Sequence, residues 1–187
     1  MTRELEGKIM DNEDLVREYS NNLTTYEQFT NLMETYICNL LNREQISFHS
    51  ITSRTKSIES YLKDRVKNKY QKLDEITDLS GIRVITYYTD TVDQISKLIE
   101  NEFIIDRDNS IDKRKSLDPK RFGYRSLHYV VQLILSMLKH RNILKYHNLK
   151  LEIQISSILQ YTWAEIEHDL GYKSQEEIPY DIKRSFS

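Results

Sequence analysis

The segment Leu149-Lys150-Leu151-Glu152-Ile153-Gln154-Ile155 alternates without exception, every odd position apolar and every even one polar. Successive side chains of a strand point to opposite faces, so this run lays one face on a core and turns the other outward. A helix would scatter the same apolar residues around its circumference. The segment therefore commits the chain to a sheet with one covered face, and it holds Glu152 and Gln154 on rigid backbone across from that cover. An ordinary half-solvated sheet carries the same pattern, and for one strand that plain reading stands beside the functional one.

Three further strands are predicted, at Ile82–Tyr88, Phe103–Asp106 and Leu127–Leu135. In the last, Leu127, Tyr129, Val131 and Leu133 share a face, and Tyr124, Ser126 and His128 share the other. Apolar residues three and four apart predict helices over Asn12–Asn42 (one helix or two), Val92–Asn101 and Ile158–Leu170. In the last helix Ile158, Leu159, Thr162, Trp163, Ile166 and Leu170 are expected to be its apolar face. A basic helix is expected from Ser57 to about Lys72 on a buried stripe of Leu62, Val66 and Tyr70. Asp108–Phe122 reads as a polar loop and Ser136–Asn148 as an insertion. Only four glycines and two prolines occur in 187 residues, which favours long regular elements over turn-dense all-β folds. The fold class is α+β, a mixed sheet of about four or five strands with packed helices. One domain is expected over 1–187, with N-terminal helices over 1–50 and an α/β core over 51–175. Ile182-Lys183-Arg184-Ser185-Phe186 looks like the start of another helix, so the chain is expected to be cut short there.

A net charge of −2 hides a gradient. Arg54–Lys72 holds seven basic residues against two acids, and Arg107–Arg125 seven against three. Two such stretches converging in space would make a polyanion site, and apart they would be solvated faces. The single cysteine, Cys38, excludes an internal disulfide and reads as a buried bystander in a reducing compartment. No apolar run approaches the roughly 20 residues of a membrane span and no signal-peptide pattern opens the chain, so a cytoplasmic protein is expected.

Asp78-Leu79-Ser80-Gly81-Ile82-Arg83 sets an acid ahead of the first predicted strand and an arginine inside it, and Gly123-Tyr124-Arg125-Ser126-Leu127-His128 puts an aromatic ring and a cation ahead of the third. Carboxylates at two strand ends suit Mg²⁺, which takes hard oxygen ligands together with nucleotide phosphates. Arginines and lysines around them match a triphosphate.

With Arg54-Thr55-Lys56-Ser57 before these segments, and Glu152-Ile153-Gln154-Ile155 and Trp163-Ala164-Glu165-Ile166-Glu167-His168 after them, the ordered set resembles the synthetase domain of the RelA/SpoT alarmone enzymes, from about Arg54 to Lys173. Within that family the chain resembles the small single-domain synthetases. The resemblance implies a pyrophosphokinase that moves a diphosphate from ATP to a ribose 3′-hydroxyl and releases AMP. It implies Arg54 and Arg83 around the adenine and phosphates of ATP, Lys56 on the phosphate chain, Asp78 and Glu152 on Mg²⁺, Glu152 as general base and Gln154 as its support. For the acceptor it implies Tyr124 stacked on the base, with Lys113, Lys120, Arg125 and His128 on phosphates.

Many members follow the Glu-Ile-Gln-Ile strand with Arg-Thr, where this chain has Ser156-Ser157. That departure, with Asp169-Leu170-Gly171-Tyr172-Lys173, resembles toxin-type members, some of which modify the 3′ end of tRNA. The acceptor is thus GDP/GTP or tRNA, and a toxin would imply an antitoxin partner. Lys63, Arg65, Lys67, Lys69, Lys113, Arg114, Lys115 and Arg121 would form an RNA-facing surface or simply solubilise the chain. A homo-oligomer through the N-terminal helices is a further expectation. The His168-Asp169 dipeptide lacks the upstream ligands of a metal-dependent phosphohydrolase, Glu165, Glu167 and His168 read more simply as an exposed helix side, and no Gly-rich P-loop is present. A non-catalytic nucleotide- or RNA-binding module is the competing class.

Overall fold

A computed structural model of the chain describes residues 12–68, 73–112, 126–134 and 142–173. In chain order the elements are α1 (Asn12–Arg43), β1 (Ser50–Thr55), α2 (Ile58–Asn68), β2 (Ser80–Thr86), α3 (Thr89–Glu102), β3 (Ile104–Asp112), β4 (Leu127–Gln132), β5 (Leu151–Ser157) and α4 (Ile158–Lys173). The five strands form one sheet in the order β1-β2-β5-β4-β3. Only β2 and β5 run parallel, which makes the sheet mixed and the fold α+β.

The alternation in β5 does what its pattern requires. Leu151, Ile153 and Ile155 are fully buried in a cluster with Ile82 and Val84 of β2, Leu127, Tyr129 and Val131 of β4, Phe29, Met33, Ile37 and Leu41 of α1, and Val92, Ile95 and Ile99 of α3. Burying each such aliphatic side chain stabilises by roughly 1.5–3 kcal/mol before chain entropy is counted. α1 is one continuous helix. With α3 it covers this face, and the opposite face carries Arg83, Glu152, Gln154 and His128 beside the buried Ile85 and Val130.

Several expectations are corrected. The strand Ser50–Thr55 escapes a reading by apolar periodicity, because it is an edge strand of polar and charged residues with one large apolar side chain, Ile51. Ser57 does cap the helix that follows, accepting a hydrogen bond from Ser60 N at 3.2 Å. Of the stripe expected for α2, Leu62 is exposed while its neighbour Tyr61 is buried, and the Val66 side chain and Tyr70 lie outside the described residues. Tyr61 stacks on Tyr19 of α1 at a centroid distance of 4.8 Å. β3 runs on to Asp112, through what reads as loop, with a register shift between Asp106 and Ile111. Of the apolar face expected for α4, Leu159 and Ile166 are exposed and Ile158 and Trp163 half-buried, whereas Gln160 is buried; the Leu170 side chain lies outside the described residues. Gln160 Oε1 accepts from Ser157 N at 3.0 Å and Ser157 Oγ accepts from Gln160 N at 3.4 Å, a reciprocal cap that fixes the start of α4. Cys38 is half-buried and unbridged. Among the described residues no helix is long and apolar enough to cross a membrane.

Candidate active site

The strand register assembles the site. Arg54 on β1 pairs with Gly81 on β2, and Gly81 pairs with Glu152 on β5. The next row is Thr52, Arg83, Gln154 and, on β4, His128. Directly paired residues share a sheet face, so Arg54, Arg83, Glu152, Gln154 and His128 all project from the face opposite Ile82 and Ile153. Gly81, in the middle of the first row, has no side chain to separate its neighbours. Arg54 lies across it, with Cγ 3.6 Å and Nε 3.7 Å from where a Cβ would stand. The cavity over these strands measures about 260 Å³ and is lined by Arg54, Gly81, Arg83, Glu152 and Gln154 among others.

Glu152 is clamped at both oxygens. His128 Nδ1 lies 2.9 Å from Oε1, and Gln154 Nε2 donates to Oε2 at 3.0 Å. Burial pushes its carboxyl up, but the His128 hydrogen bond and charge, the Gln154 bond and the charge of Arg54 together hold it below its ordinary range. It is therefore an anion at neutral pH. The second ring nitrogen of His128, Nε2, is 2.6 Å from Ser126 Oγ.

Asp78 lies just ahead of β2. Lys56 Nζ donates to its Oδ2 at 2.5 Å, and Arg54 Nη2 is 3.8 Å from the same oxygen. Arg54 thus reaches Asp78 on one side and acts on Glu152 on the other. Only 6% of the Lys56 side chain is exposed, and its own carbonyl accepts a hydrogen bond from Tyr19 of α1 at 2.5 Å. α1 holds this corner further through Thr30, whose hydroxyl meets Ser80 Oγ at 2.9 Å and Thr55 Oγ1 at 3.0 Å. Arg83 is held by α4: its guanidinium lies 5.2 Å from the centroid of the Tyr161 ring and 3.9 Å from Glu165 Oε1, while its Nε donates to Gln154 Oε1 at 3.4 Å.

Seven residues singled out in the sequence, Arg54, Lys56, Asp78, Arg83, His128, Glu152 and Gln154, thus meet on one sheet face or at its edge. Lys113, Lys120, Tyr124 and Arg125 lie outside the described residues, as do Lys69, Arg114, Lys115 and Arg121. Lys63 of α2 is itself exposed and paired with Glu59 at 2.7 Å, and the side chains of Arg65 and Lys67 lie outside the described residues. Ser126, Tyr161 and Thr30 were not singled out as site residues, although Ser126 shares its strand-face parity with His128 and offered the one available signal. Among the described residues no three His, Cys, Asp or Glu side chains converge as a metal cage.

The family described as "Region found in RelA / SpoT proteins" matches residues 53–177, about two thirds of the chain. The chain belongs to the RelA/SpoT family. Among relatives, GTP pyrophosphokinase YwaC of Bacillus subtilis (strain 168) is 27% identical over 183 residues, covering 90% of this chain and 81% of its own length. GTP pyrophosphokinase YjbM of the same organism is 29% identical over 139 residues, 71% of this chain, and the match spans 61% of that relative. The small alarmone synthetase 2 from Bacillus subtilis shares the fold, with a TM-score of 0.71 at 22% identity over 90% of this chain and 88% of that one. The RelA/SpoT match begins at Ser53, within β1, so Tyr19 and Thr30, which brace the site from α1, lie ahead of it.

Proposed function

We propose that this RelA/SpoT member is a pyrophosphokinase that transfers the β,γ-diphosphate of ATP to the ribose 3′-hydroxyl of GDP or GTP and releases AMP. The observation that carries the proposal is the row Arg54–Gly81–Glu152, with Asp78 on the far side of Arg54. With Arg83 from the next row it brings an ionised carboxylate and two arginines to one open cavity, and Arg54 links that cavity to the second carboxylate, Asp78. The guanosine acceptor follows the activity named for the relatives YjbM and YwaC.

Phosphoryl transfer is catalysed mainly by positioning and charge neutralisation. Arg54 and Arg83 flank the cavity and would grip the donor nucleotide, Arg83 with its guanidinium over the Tyr161 ring. Glu152 accepts the proton of the 3′-hydroxyl as that oxygen bonds to the β-phosphorus, and the bond from the β-phosphorus to the α-phosphate oxygen breaks to release AMP. Lys56, buried under Asp78, fixes that carboxylate rather than presenting an open ammonium. Asp78 and Glu152 each keep oxygen lone pairs beyond those taken by their donors. Such a pair fits Mg²⁺, which binds through one or two carboxylates plus substrate phosphates and, when bound, would neutralise phosphate charge.

The test is incubation with ATP labelled at the γ-phosphate, Mg²⁺, and GDP, GTP or bulk tRNA in parallel. Label in the guanosine nucleotide with stoichiometric AMP is expected. Label in tRNA would transfer the same chemistry to an RNA acceptor, and absence of AMP in every arm would leave a binding module.

A further inference from the structure

We propose that Lys150 binds phosphate of the acceptor nucleotide and so favours a 5′-di- or triphosphate over the bare nucleoside. This rests on the reading of Glu152 as the group facing the acceptor hydroxyl. Lys150 stands directly ahead of β5, two residues before Glu152. Its Nζ donates to Asp106 Oδ2 at 3.0 Å. Asp106 on β3 pairs with Val130 on β4, and Val130 pairs with Glu152. Directly paired residues share a sheet face, so this contact puts the Lys150 ammonium on the face that carries Glu152.

In-line transfer divides that face in two. The attacking and leaving oxygens stand on opposite sides of the phosphorus that moves. Arg54 on β1 and Arg83 on β2 occupy the donor side of Glu152, so the acceptor extends the other way, over β4 and β3. A guanosine di- or triphosphate brings several anionic oxygens there, which cationic donors match best. Strands β3, β4 and β5 hold a single Lys or Arg, Arg107, and it pairs with Glu100 of α3 at 3.4 Å. That helix packs on the opposite face. Lys150 is therefore the cation of this kind that the described residues supply to the acceptor half. Along extended backbone its Cα stands roughly 6.6 Å from that of Glu152, a separation that one ribose phosphate spans.

The ion pair with Asp106 does not use Lys150 up. An ammonium carries three N–H groups, and the Asp106 bond takes one. Nor does Asp106 depend on Lys150 alone, because its Oδ1 accepts from Asn109 N at 3.3 Å and its Oδ2 from Asn109 Nδ2 at 2.9 Å. The carboxylate stays hydrogen-bonded when the ammonium turns toward phosphate. The Lys150 and Asp106 side chains are 21% and 20% exposed, open enough for a ligand and shielded enough for a charge to act more strongly than on the bare surface. Asp106 also confines a long side chain in advance, which lowers the ordering cost of binding.

The test compares GDP with guanosine, which keeps the 3′-hydroxyl and lacks phosphate. In the diphosphate-transfer assay with ATP and Mg²⁺, Lys150→Gln is expected to lower kcat/KM for GDP at least about tenfold, with kcat/KM for guanosine and KM for ATP within about twofold of wild type. Lys150→Arg, which keeps the charge, is expected to fall between. Lys150→Gln/Asp106→Asn, which leaves no carboxylate without its cation, is expected to show the same selective loss. A lysine that only braces the sheet would lower both acceptors alike. Equilibrium dialysis of labelled GDP and labelled guanosine on the full chain, without ATP, is expected to repeat the pattern in binding. Equal losses for GDP and guanosine in the single and double variants overturn the proposal. So does wild-type affinity for GDP in Lys150→Gln, or a wild type that binds guanosine as tightly as GDP, a measurement that needs no variant to fold. If the wild type releases no AMP, the functional reading fails by itself, and the dialysis still decides whether Lys150 holds phosphate.

Discussion

Lys56 Nζ and Asp78 Oδ2 stand 2.5 Å apart, joining the residue after β1 to the approach of β2 beneath the exposed guanidinium of Arg54. An ammonium this buried is tolerable because a carboxylate compensates it. Removing one partner of such a pair typically costs about 3 kcal/mol or more. Lys56→Met should therefore lower the urea midpoint markedly with an unchanged slope, and Lys56→Met/Asp78→Asn should recover part of the loss. A double variant that loses the sum of the two single losses would show that the pair is not coupled.

Glu152→Gln keeps the size of the side chain and removes the base. The expected outcome is a fall in AMP release by a factor of roughly 10²–10⁴ with the far-UV dichroism and urea midpoint close to wild type. Asp78→Ala should fall at least as far. Wild-type turnover in either variant would remove the assignment of the site.

Arg83 lies over the Tyr161 ring, a cation–π contact worth about 0.5–1 kcal/mol at an exposed site. Tyr161→Leu should weaken binding of a nonhydrolysable ATP analogue by roughly two- to fivefold in titration calorimetry, and Tyr161→Phe should leave it unchanged. Equal losses in both variants would point to the hydroxyl and away from the ring face.

At the start of α4, Ser157 and Gln160 cap each other and are both buried. Loss of such a cap costs about 1 kcal/mol. Ser157→Ala and Gln160→Ala should each destabilise by that order, and the double variant by clearly less than their sum, as chemical denaturation would measure.

Asp106 and Lys150 form an ion pair at 3.0 Å across the sheet. Burial pushes the Asp106 carboxyl up, but hydrogen bonds from Asn109 and Lys150 outweigh it and hold the group below its ordinary 3.8. A depressed carboxylate contributes stability that is present above its unfolded pKa and is lost as pH falls through the folded one. The stability gap between wild type and Asp106→Asn should therefore be largest above pH 3.8 and shrink as the pH is lowered beneath it. A gap that grew on acidification would contradict the pairing.

Periodicity carried much of the architecture. The alternation of β5, the three-four spacing of α1 and α3 and the opposed faces of β4 are local properties, decided by which residues must leave water, and they are readable from neighbouring letters alone. Strands β1 and the far half of β3 are not of that kind. They are edge strands with polar side chains, and they exist because a ladder partner from elsewhere in the chain satisfies their backbone.

The same division runs through the site. Arg54, Asp78, Arg83, His128 and Glu152 were identifiable by chemical type and by motif order. That Arg54 reaches Asp78 while acting on Glu152, that Lys56 is buried, and that Ser126 and Gln154 hold the two ends of the His128–Glu152 pair follow only from the pairing of β1 with β2 and of β5 with β2 and β4. One residue of slip in any of those registers would send the same side chains to the opposite face. The sequence by itself determined which groups were available and which strand faces they occupied. The tertiary structure decided which of them touch, because hydrogen-bond partners and burial are set by strands up to a hundred residues apart in the chain.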